Sequence, residues 1–392
     1  MRKNDFYAVI LSGGSGERFW PLSTPDRPKQ FLSVFGGKSL IRQAVDRLDG
    51  LVPRERILVV TAASLVKATR QELPELPRSN IIAEPCRRDT AAAVATACGV
   101  VERMGGEDAV AAILTADHLM KDVKAFRQVL SDAARAAAAS ADIVTMGVSP
   151  DYPATGFGYI QVGAPMSLRT KTVFHRAVRF VEKPDAKTAA RYLATGSYVW
   201  NAGMFVWKVS TMKSALVAGA PALAILEAAV ADKKNRVPAV LETLYPQLPR
   251  ISIDYAVMEK AKNILVSCGA FGWDDVGTWS AADRHLATDA RRNVAKGDVA
   301  LLDVSDSVAI TEGPHIAALG VEGLVIVATK DSVLVAAKDR VQDIKKLLAK
   351  MSAKSAAATS WSSHTTALPI LVTSIRKMPC PSSRRWRRCW PT

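Results

Sequence analysis

No two cysteines in this 392-residue chain are spaced as C-x-x-C. The five that occur, Cys86, Cys98, Cys268, Cys380 and Cys389, are odd in number and scattered, a pattern that suits neither a zinc site nor a secreted disulfide framework. Reduced thiols in a cytoplasm are the expectation. No stretch reaches the roughly 18–20 apolar residues of a membrane span. The N-terminal apolar run is too short for a signal h-region, and no small-residue cleavage pattern follows it. Acidic residues are missing altogether from 352–392, which carries seven Lys and Arg. The formal charge is +15 overall, so the first 351 residues hold only +8. A nucleic-acid reading of the basic balance therefore shrinks to that terminal stretch. Disorder throughout is excluded, because hydrophobic residues make up 49% and charged residues 23%.

Short apolar runs recur at Tyr7–Leu11, Ile57–Thr61, Val110–Thr115 and Ile143–Val148. Segments of helical spacing lie between them, at Ser39–Leu48, Thr90–Met104 and Val123–Ser140. Alternation of this kind predicts βαβ units and a Rossmann-like, mixed but mostly parallel α/β sheet. Residues 156–207 read as strands and 217–244 as helical. Past about Arg291 short β runs alternate with Gly, Asp and Ser turns, which predicts a small all-β unit before a terminal helix. The expected division is 1–285, 286–351 and a basic, disordered tail at 352–392.

Tyr7–Leu11 leads into Ser12-Gly13-Gly14-Ser15-Gly16-Glu17-Arg18. A strand ending in such a turn brings backbone N–H groups close to phosphate oxygens. The dinucleotide fingerprint fails, because position 19 is Phe. The Walker pattern around Gly37-Lys38-Ser39 fails, because position 32 is Leu. Pro21, Pro25 and Pro28 stiffen the segment that follows, which holds Arg27 and Lys29. Fixed backbone donors beside cations that do not titrate at neutral pH suit a polyphosphate; a plain tight turn is the competing explanation.

LSGGSGERFWPLS followed by PKQF closely resembles the opening of the mannose-1-phosphate guanylyltransferases, within the sugar-nucleotidyltransferase family. The resemblance continues in order through AEPCRRDTAAA (83–93), TADHLM (115–120), FVEKP (180–184), WNAGMFVW (200–207), SIDYAVMEK (252–260) and GWDDVGTW (272–279). It runs on to DRVQDIKKLLAKM, covering about 350 residues. It implies a nucleotide-diphospho-sugar transferase fold closed by a small left-handed β-helix. The implied reaction joins mannose 1-phosphate to the α-phosphate of GTP and releases pyrophosphate, with Mg²⁺ as cofactor. Such a reaction needs positioning and cationic charge more than a strong base.

The resemblance further implies that Arg18 holds the future pyrophosphate and that Lys29 sits at the α-phosphate. Nucleotide contacts are implied at Leu11, Gly13, Gly14, Gly16, Glu84 and Thr90, with Glu84 a candidate acceptor for guanine. Asp89 stands where the family often has Asn or Gly. The metal pair would be Asp117 and Asp275, each past the end of a predicted strand, where ligands of open α/β sheets bind. Two carboxylates plus phosphate oxygens suit Mg²⁺. His118 could be read as a metal ligand, but a structural role or one supporting the site is the expectation. Glu182, Lys183, Asn201, Gly203 and Asp254 would hold the sugar phosphate. A homodimer is implied, in the cytoplasm, with no nucleic-acid partner. Only 41 residues follow 351, too few for the isomerase barrel of bifunctional relatives. The alternatives are a sister enzyme using another sugar or base, and a regulatory subunit that binds GDP-mannose.

Overall fold

The computed structural model describes residues 5–358, with side chains for 5–351. Packing divides the chain into a unit ending at Ala281 and a second beginning at Ala282.

The first unit is built on eleven strands. They are β1 (Phe6–Ser12), β2 (Ile57–Ala62), β3 (Ile81–Glu84), β4 (Val110–Thr115), β5 (Leu119–Met120), β6 (Ile143–Val148), β7 (Tyr159–Met166), β8 (Phe174–Val181), β9 (Tyr198–Lys208), β10 (Ile264–Cys268) and β11 (Trp273–Asp274). Nine form one mixed sheet in the order β3-β2-β1-β4-β9-β6-β10-β8-β7, and β5 pairs with β11 as a separate ribbon. β1, β2, β3 and β4 run parallel, as does the β6–β10 pair. β9 enters antiparallel between β4 and β6. β7 pairs antiparallel with both β8 and β9.

β1 shows why its sequence is an unbroken apolar run. Phe6, Ala8 and Ile10 face one core with Ile41, Leu48, Phe126 and Leu130. Tyr7 and Val9 face the other, with Ala92, Ala95, Leu223 and Leu226. A strand buried on both faces has no polar side to show. The helix predicted over 90–104 spans Asp89–Gly105 and is alanine-rich because it lies between the sheet and further helices. At Gly99 an added Cβ would stand 2.5 Å from the Glu227 carbonyl oxygen, so the backbones meet where no side chain fits. The helix over 123–140 spans Val123–Ala139, and that over 39–48 spans Leu40–Asp46 with Ser39 as its N-cap, accepting from Arg42 N–H. The stretch read as helical over 217–244 is three helices, Val209–Gly219, Pro221–Ala231 and Val237–Leu244. Pro221 and Pro238 open the second and third, because proline fits a first turn and not a helix interior.

This helical layer buries a carboxyl that no sequence pattern marks. Glu227 is 2% exposed, and it lies beside Glu102, which accepts from Lys213 Nζ at 2.8 Å. Burial first, then the hydrogen bond and the charge of Glu102, pushes the Glu227 pKa up to about 8. The folded state therefore holds this proton more tightly than the unfolded chain. The stability this confers is whole below about pH 4.5 and is lost as pH rises through about 8. Glu227→Gln should thus raise the melting temperature at pH 8.5 and flatten the alkaline fall, by on the order of 1–3 kcal/mol after allowance for relaxation. Melts at about pH 5 and 8.5 check it; an unchanged pH dependence in the variant contradicts it.

The second unit holds β12 (Val294–Lys296), β13 (Val299–Leu302), β14 (Val308–Thr311), β15 (Ile316–Leu319), β16 (Leu324–Ala328) and β17 (Val333–Ala337). β12, β14 and β16 stack in parallel, as do β13 and β15. Val308 pairs with Val325, Val299 with Ile316 and Ser305 with Glu322, all at one spacing, which is the repeat of a β-helix. β17 closes the stack antiparallel, and the last helix is Ile344–Ala358. That helix runs into the first residues of the expected basic tail. The rest of the tail, 359–392, lies outside the described residues.

Candidate functional site

The parallel strands end together. Ser12 of β1 pairs with Thr61, and Glu84 of β3 with Ala62, so the glycine loop and Glu84 leave the sheet at one edge. Asp117 follows β4 at the same edge, because Leu11 pairs with Thr115. A crevice at such an edge is where open α/β sheets bind ligands. Leu11 itself is held in the sheet, its carbonyl accepting from Ala116 N–H at 3.1 Å.

Past β1 the loop turns back on the segment that carries Lys29. Gly14 and Gly16 have φ of +98° and +60°. A Cβ on Gly16 would stand 2.4 Å from Lys29 Cβ and 2.7 Å from Lys29 N, so only glycine allows this crossing. The proline-rich segment is not α-helical; it has single 3-10 turns at Glu17–Phe19 and Lys29–Phe31. Phe19 is buried edge-on against Phe35 and Trp279, with ring centroids 6.0 and 5.0 Å away. That anchor sets the position of its neighbour Arg18, whose Nη1 donates to Gly277 O at 3.1 Å.

Lys29 is 7% exposed. Its Nζ donates to Asp117 Oδ2 at 2.9 Å and to the Asp275 carbonyl oxygen, and lies 6.0 Å from the Phe19 ring centre. A Cβ on Gly277 would be 3.1 Å from Asp275 Oδ2 and 3.5 Å from Arg18 Nη1, so the Asp275 carboxylate and the Arg18 guanidinium share the space above Gly277. Arg18, Lys29, Asp117 and Asp275 thus form one cluster. Burial would raise the Asp117 pKa, but the Lys29 charge and hydrogen bond, with the neighbouring His118, outweigh it and hold the group below its usual range. Asp275 is pushed up by burial, with the Asp274 and Asp117 charges adding to it against Lys29. A carboxylate whose cost of ionisation is raised by neighbouring negative charge accepts a further cation readily.

A second cluster forms where β7 pairs with both β8 and β9. Tyr159 is opposite Val181 and Trp200, which carries Glu182 to Asn201. Asn201 Nδ2 donates to Asp254 Oδ1 at 2.9 Å, and its Oδ1 accepts from Gly203 N–H at 3.1 Å. The β6–β9 register slips between Thr145 and Gly147, and Gly203 there has φ +66°. A bulge of this kind re-aims the side chain beside it. Glu182 accepts from Lys183 Nζ. A Cβ on Gly158 would fall 2.6 Å from Glu182 Oε2, so Gly158 makes the room for this carboxylate. Lys183, held at φ +44°, is raised in pKa because its Glu182 partner outweighs the desolvation. Asp254 is raised by burial and then by Glu182. Met204, Phe205 and Trp207 are buried core, as their apolar run implies.

Glu84 is held differently. Tyr245 Oη donates to its Oε1, and burial raises its pKa against that hydrogen bond. Nothing in the sequence signals Tyr245. Thr90 Oγ1 accepts from Ile253 N–H at 2.9 Å and so ties this loop to the segment bearing Asp254. Asp89 takes φ +61°, a conformation that Asn or Gly adopts at lower cost.

Comparisons with known proteins come from three directions. A nucleotidyl transferase family model matches residues 7–290, and a model described as the MannoseP isomerase/GMP-like beta-helix domain matches 297–351. A mannose-1-phosphate guanylyltransferase of Escherichia coli is 39% identical over 346 residues, covering 86% of this chain and 72% of that protein. The xanthan biosynthesis protein XanB of Xanthomonas campestris is 37% identical, covering 91% and 76%. A crystal structure titled mannose-1-phosphate geranyltransferase, from Thermus thermophilus, superposes with a TM-score of 0.80 at 35% identity over 89% of this chain and 99% of that one. One titled mannose-6-phosphate isomerase, from Helicobacter pylori, reaches a TM-score of 0.55 at 26% identity over 69% of this chain.

Proposed function

Because the chain belongs to the nucleotidyl transferase family, we propose that it transfers GMP from GTP to mannose 1-phosphate, giving GDP-mannose and pyrophosphate. The observation that carries the reading is the Arg18–Lys29–Asp117–Asp275 cluster at the strand edge, beside a glycine turn with open space at Gly13 and Gly14. The nucleophile, a sugar phosphate, is already an anion. The barrier is the approach of like charges and the charge left on pyrophosphate, so fixed cations are what the reaction requires. Lys29 is pinned between two loops and needs no reorganisation to meet the α-phosphate. Arg18 is placed for the leaving pyrophosphate. Leu11, Gly13, Gly14 and Gly16 supply backbone for the nucleotide. Glu84 and Thr90 lie where the base would sit, with one Glu84 oxygen already engaged by Tyr245.

The family generally uses a divalent metal ion. The donor set here fits a hard cation, because Asp117 and Asp275 offer carboxylate oxygens in one cluster. An ion that shares its shell with water and phosphate suits this, and Mg²⁺ is such an ion. When bound, it would neutralise phosphate charge. Asp117 and Asp275 would hold the ion, while Lys29 fixes Asp117.

Glu182, Lys183, Asn201, Gly203 and Asp254 form the sugar-phosphate side. Lys183 meets the phosphate, and the carboxylates and amide accept from or donate to sugar hydroxyls. Asp254→Ala should raise the KM for mannose 1-phosphate about tenfold, with a smaller change for GTP, since the loss of one hydrogen-bonded carboxylate is worth about 1.5–3 kcal/mol at most. Equal effects on both KM values contradict the placement. A homodimer is part of the proposal, supported by the family resemblance and checked by light scattering. No helix among the described residues is long and apolar enough to cross a membrane; water-soluble substrates support a cytoplasmic site of action. The test of the whole reading is pyrophosphate release from each nucleoside triphosphate with each hexose 1-phosphate. GTP with mannose 1-phosphate should give the highest kcat/KM. Preference for another pair transfers the reading to a sister enzyme, and no turnover with any pair leaves a nucleotide-sugar-binding subunit.

A further inference from the structure

Resting on the reading that Asp117 serves the phosphate and metal side, we propose that His118, locked by Trp273, is a positioning residue for the Asp117 carboxylate.

Trp273 Nε1 can only donate, and it donates to His118 Nδ1 at 3.0 Å. An accepting Nδ1 carries no proton, so the neutral ring bears its proton on Nε2. Nε2 lies 3.8 Å from Asp117 Oδ1. The other oxygen, Oδ2, accepts from Lys29. Each Asp117 oxygen thus has its own neighbour: Oδ2 a cation at 2.9 Å, Oδ1 the edge of a neutral ring whose Nε2 stands 3.8 Å away. Without that N–H, the plane of the carboxylate would be set from the Oδ2 side, by Lys29.

The ring is fixed from several sides. The Trp273 and His118 rings meet edge to face at 5.4 Å. Trp273 of β11 pairs with Met120 of β5, so the ribbon binds the Asp117 turn to the loop that carries Asp275. Arg47 Nη2 donates to the His118 carbonyl at 2.8 Å. Phe157 backs Trp273 at 5.2 Å. His118 is excluded as a ligand through Nδ1, which is occupied. Groups that orient a ligating carboxylate typically alter metal affinity or activity by about 10–100-fold when removed.

Two measurements on the full chain decide it. The first is the long-range ¹H–¹⁵N correlation of the imidazoles at about pH 7.5, with His118 identified by the signals lost in His118→Gln. The expected pattern is a single Nε2–H tautomer that becomes a mixture in Trp273→Phe. An Nδ1–H tautomer or an imidazolium overturns the proposal. The second is the Mg²⁺ concentration for half-maximal pyrophosphate release. His118→Leu and Trp273→Phe should raise it about tenfold or more. His118→Gln, which returns an N–H near the Nε2 position, should stay within about threefold of the wild type. A role in packing alone would lower the melting temperature of all three and leave the Mg²⁺ requirement unmoved, which also overturns the proposal. Absence of turnover in the wild type would defeat the functional reading, and the tautomer measurement would still decide this one.

Discussion

Lys29→Ala should lower kcat about 10²–10³-fold, the equivalent of about 2–4 kcal/mol of transition-state stabilisation. Three features make this the largest single effect. Lys29 Nζ is buried, so its charge acts through little water. It is held by Asp117 and the Asp275 carbonyl, so its position is set before substrate arrives. Its removal also leaves the half-buried Asp117 without its cation, which raises that carboxyl's pKa and weakens its hold on a metal. The fall should appear chiefly in kcat rather than in the KM for GTP, because the charge it meets develops during transfer. Stopped-time pyrophosphate assays at saturating substrates, with a thermal melt to show that the variant is folded, are the check. Wild-type-like turnover in a folded Lys29→Ala variant contradicts the assignment.

Gly16→Ala should be nearly as damaging although it removes no functional group. The added Cβ falls 2.4 Å from Lys29 Cβ and 2.7 Å from Lys29 N, and backbone cannot step aside as a flexible side-chain end can. The φ of +60° adds about 1 kcal/mol for a residue with a Cβ. Relief requires the Lys29 segment to move, and a shift of about 1 Å at a positioned charge costs about 10²-fold in rate. A stability loss of about 1–3 kcal/mol should accompany it. Gly13 is the control: a Cβ there meets nothing within 4 Å, so Gly13→Ala should change stability by less than about 0.5 kcal/mol. Equal melting temperatures for the two variants would show that the crossing of the two segments is looser than the geometry states.

Much of the frame was legible in the chain because it follows local rules. Apolar runs of strand length at Tyr7–Leu11, Ile57–Thr61, Val110–Thr115 and Ile143–Val148 became β1, β2, β4 and β6. The helical spacing over 39–48 became the helix Leu40–Asp46, and the β runs past Arg291 became a β-helix-like unit. What was not legible depends on partners far away in sequence. The antiparallel entry of β9 between β4 and β6 leaves no local trace, since its residues alternate no differently from those of a parallel strand. The ribbon of Leu119–Met120 with Trp273–Asp274 is two residues wide, too short for any period. The division of the 217–244 stretch at prolines was visible in principle, and the apolar spacing masked it.

The candidate site shows the same split. Residue types and their motifs marked Arg18, Lys29, Asp117, Asp275 and Asn201 in advance. Their contacts were not readable, because Lys29 is 88 residues from Asp117 and 246 from Asp275. Tyr245 on Glu84 and Trp273 on His118 came only from the structure, at separations of 161 and 155 residues. The motifs name the groups that cluster at the candidate site. The groups that hold them in place are drawn from whatever the fold brings near.

The central claim is attack by the sugar phosphate on the α-phosphorus of GTP. Mannose 1-phosphate carrying ¹⁸O in its non-bridging phosphate oxygens, supplied with GTP and Mg²⁺ and followed by mass spectrometry of both products, tests it directly. All of the label should appear in GDP-mannose and none in pyrophosphate. Label in pyrophosphate, or pyrophosphate formed without GDP-mannose, would contradict the account.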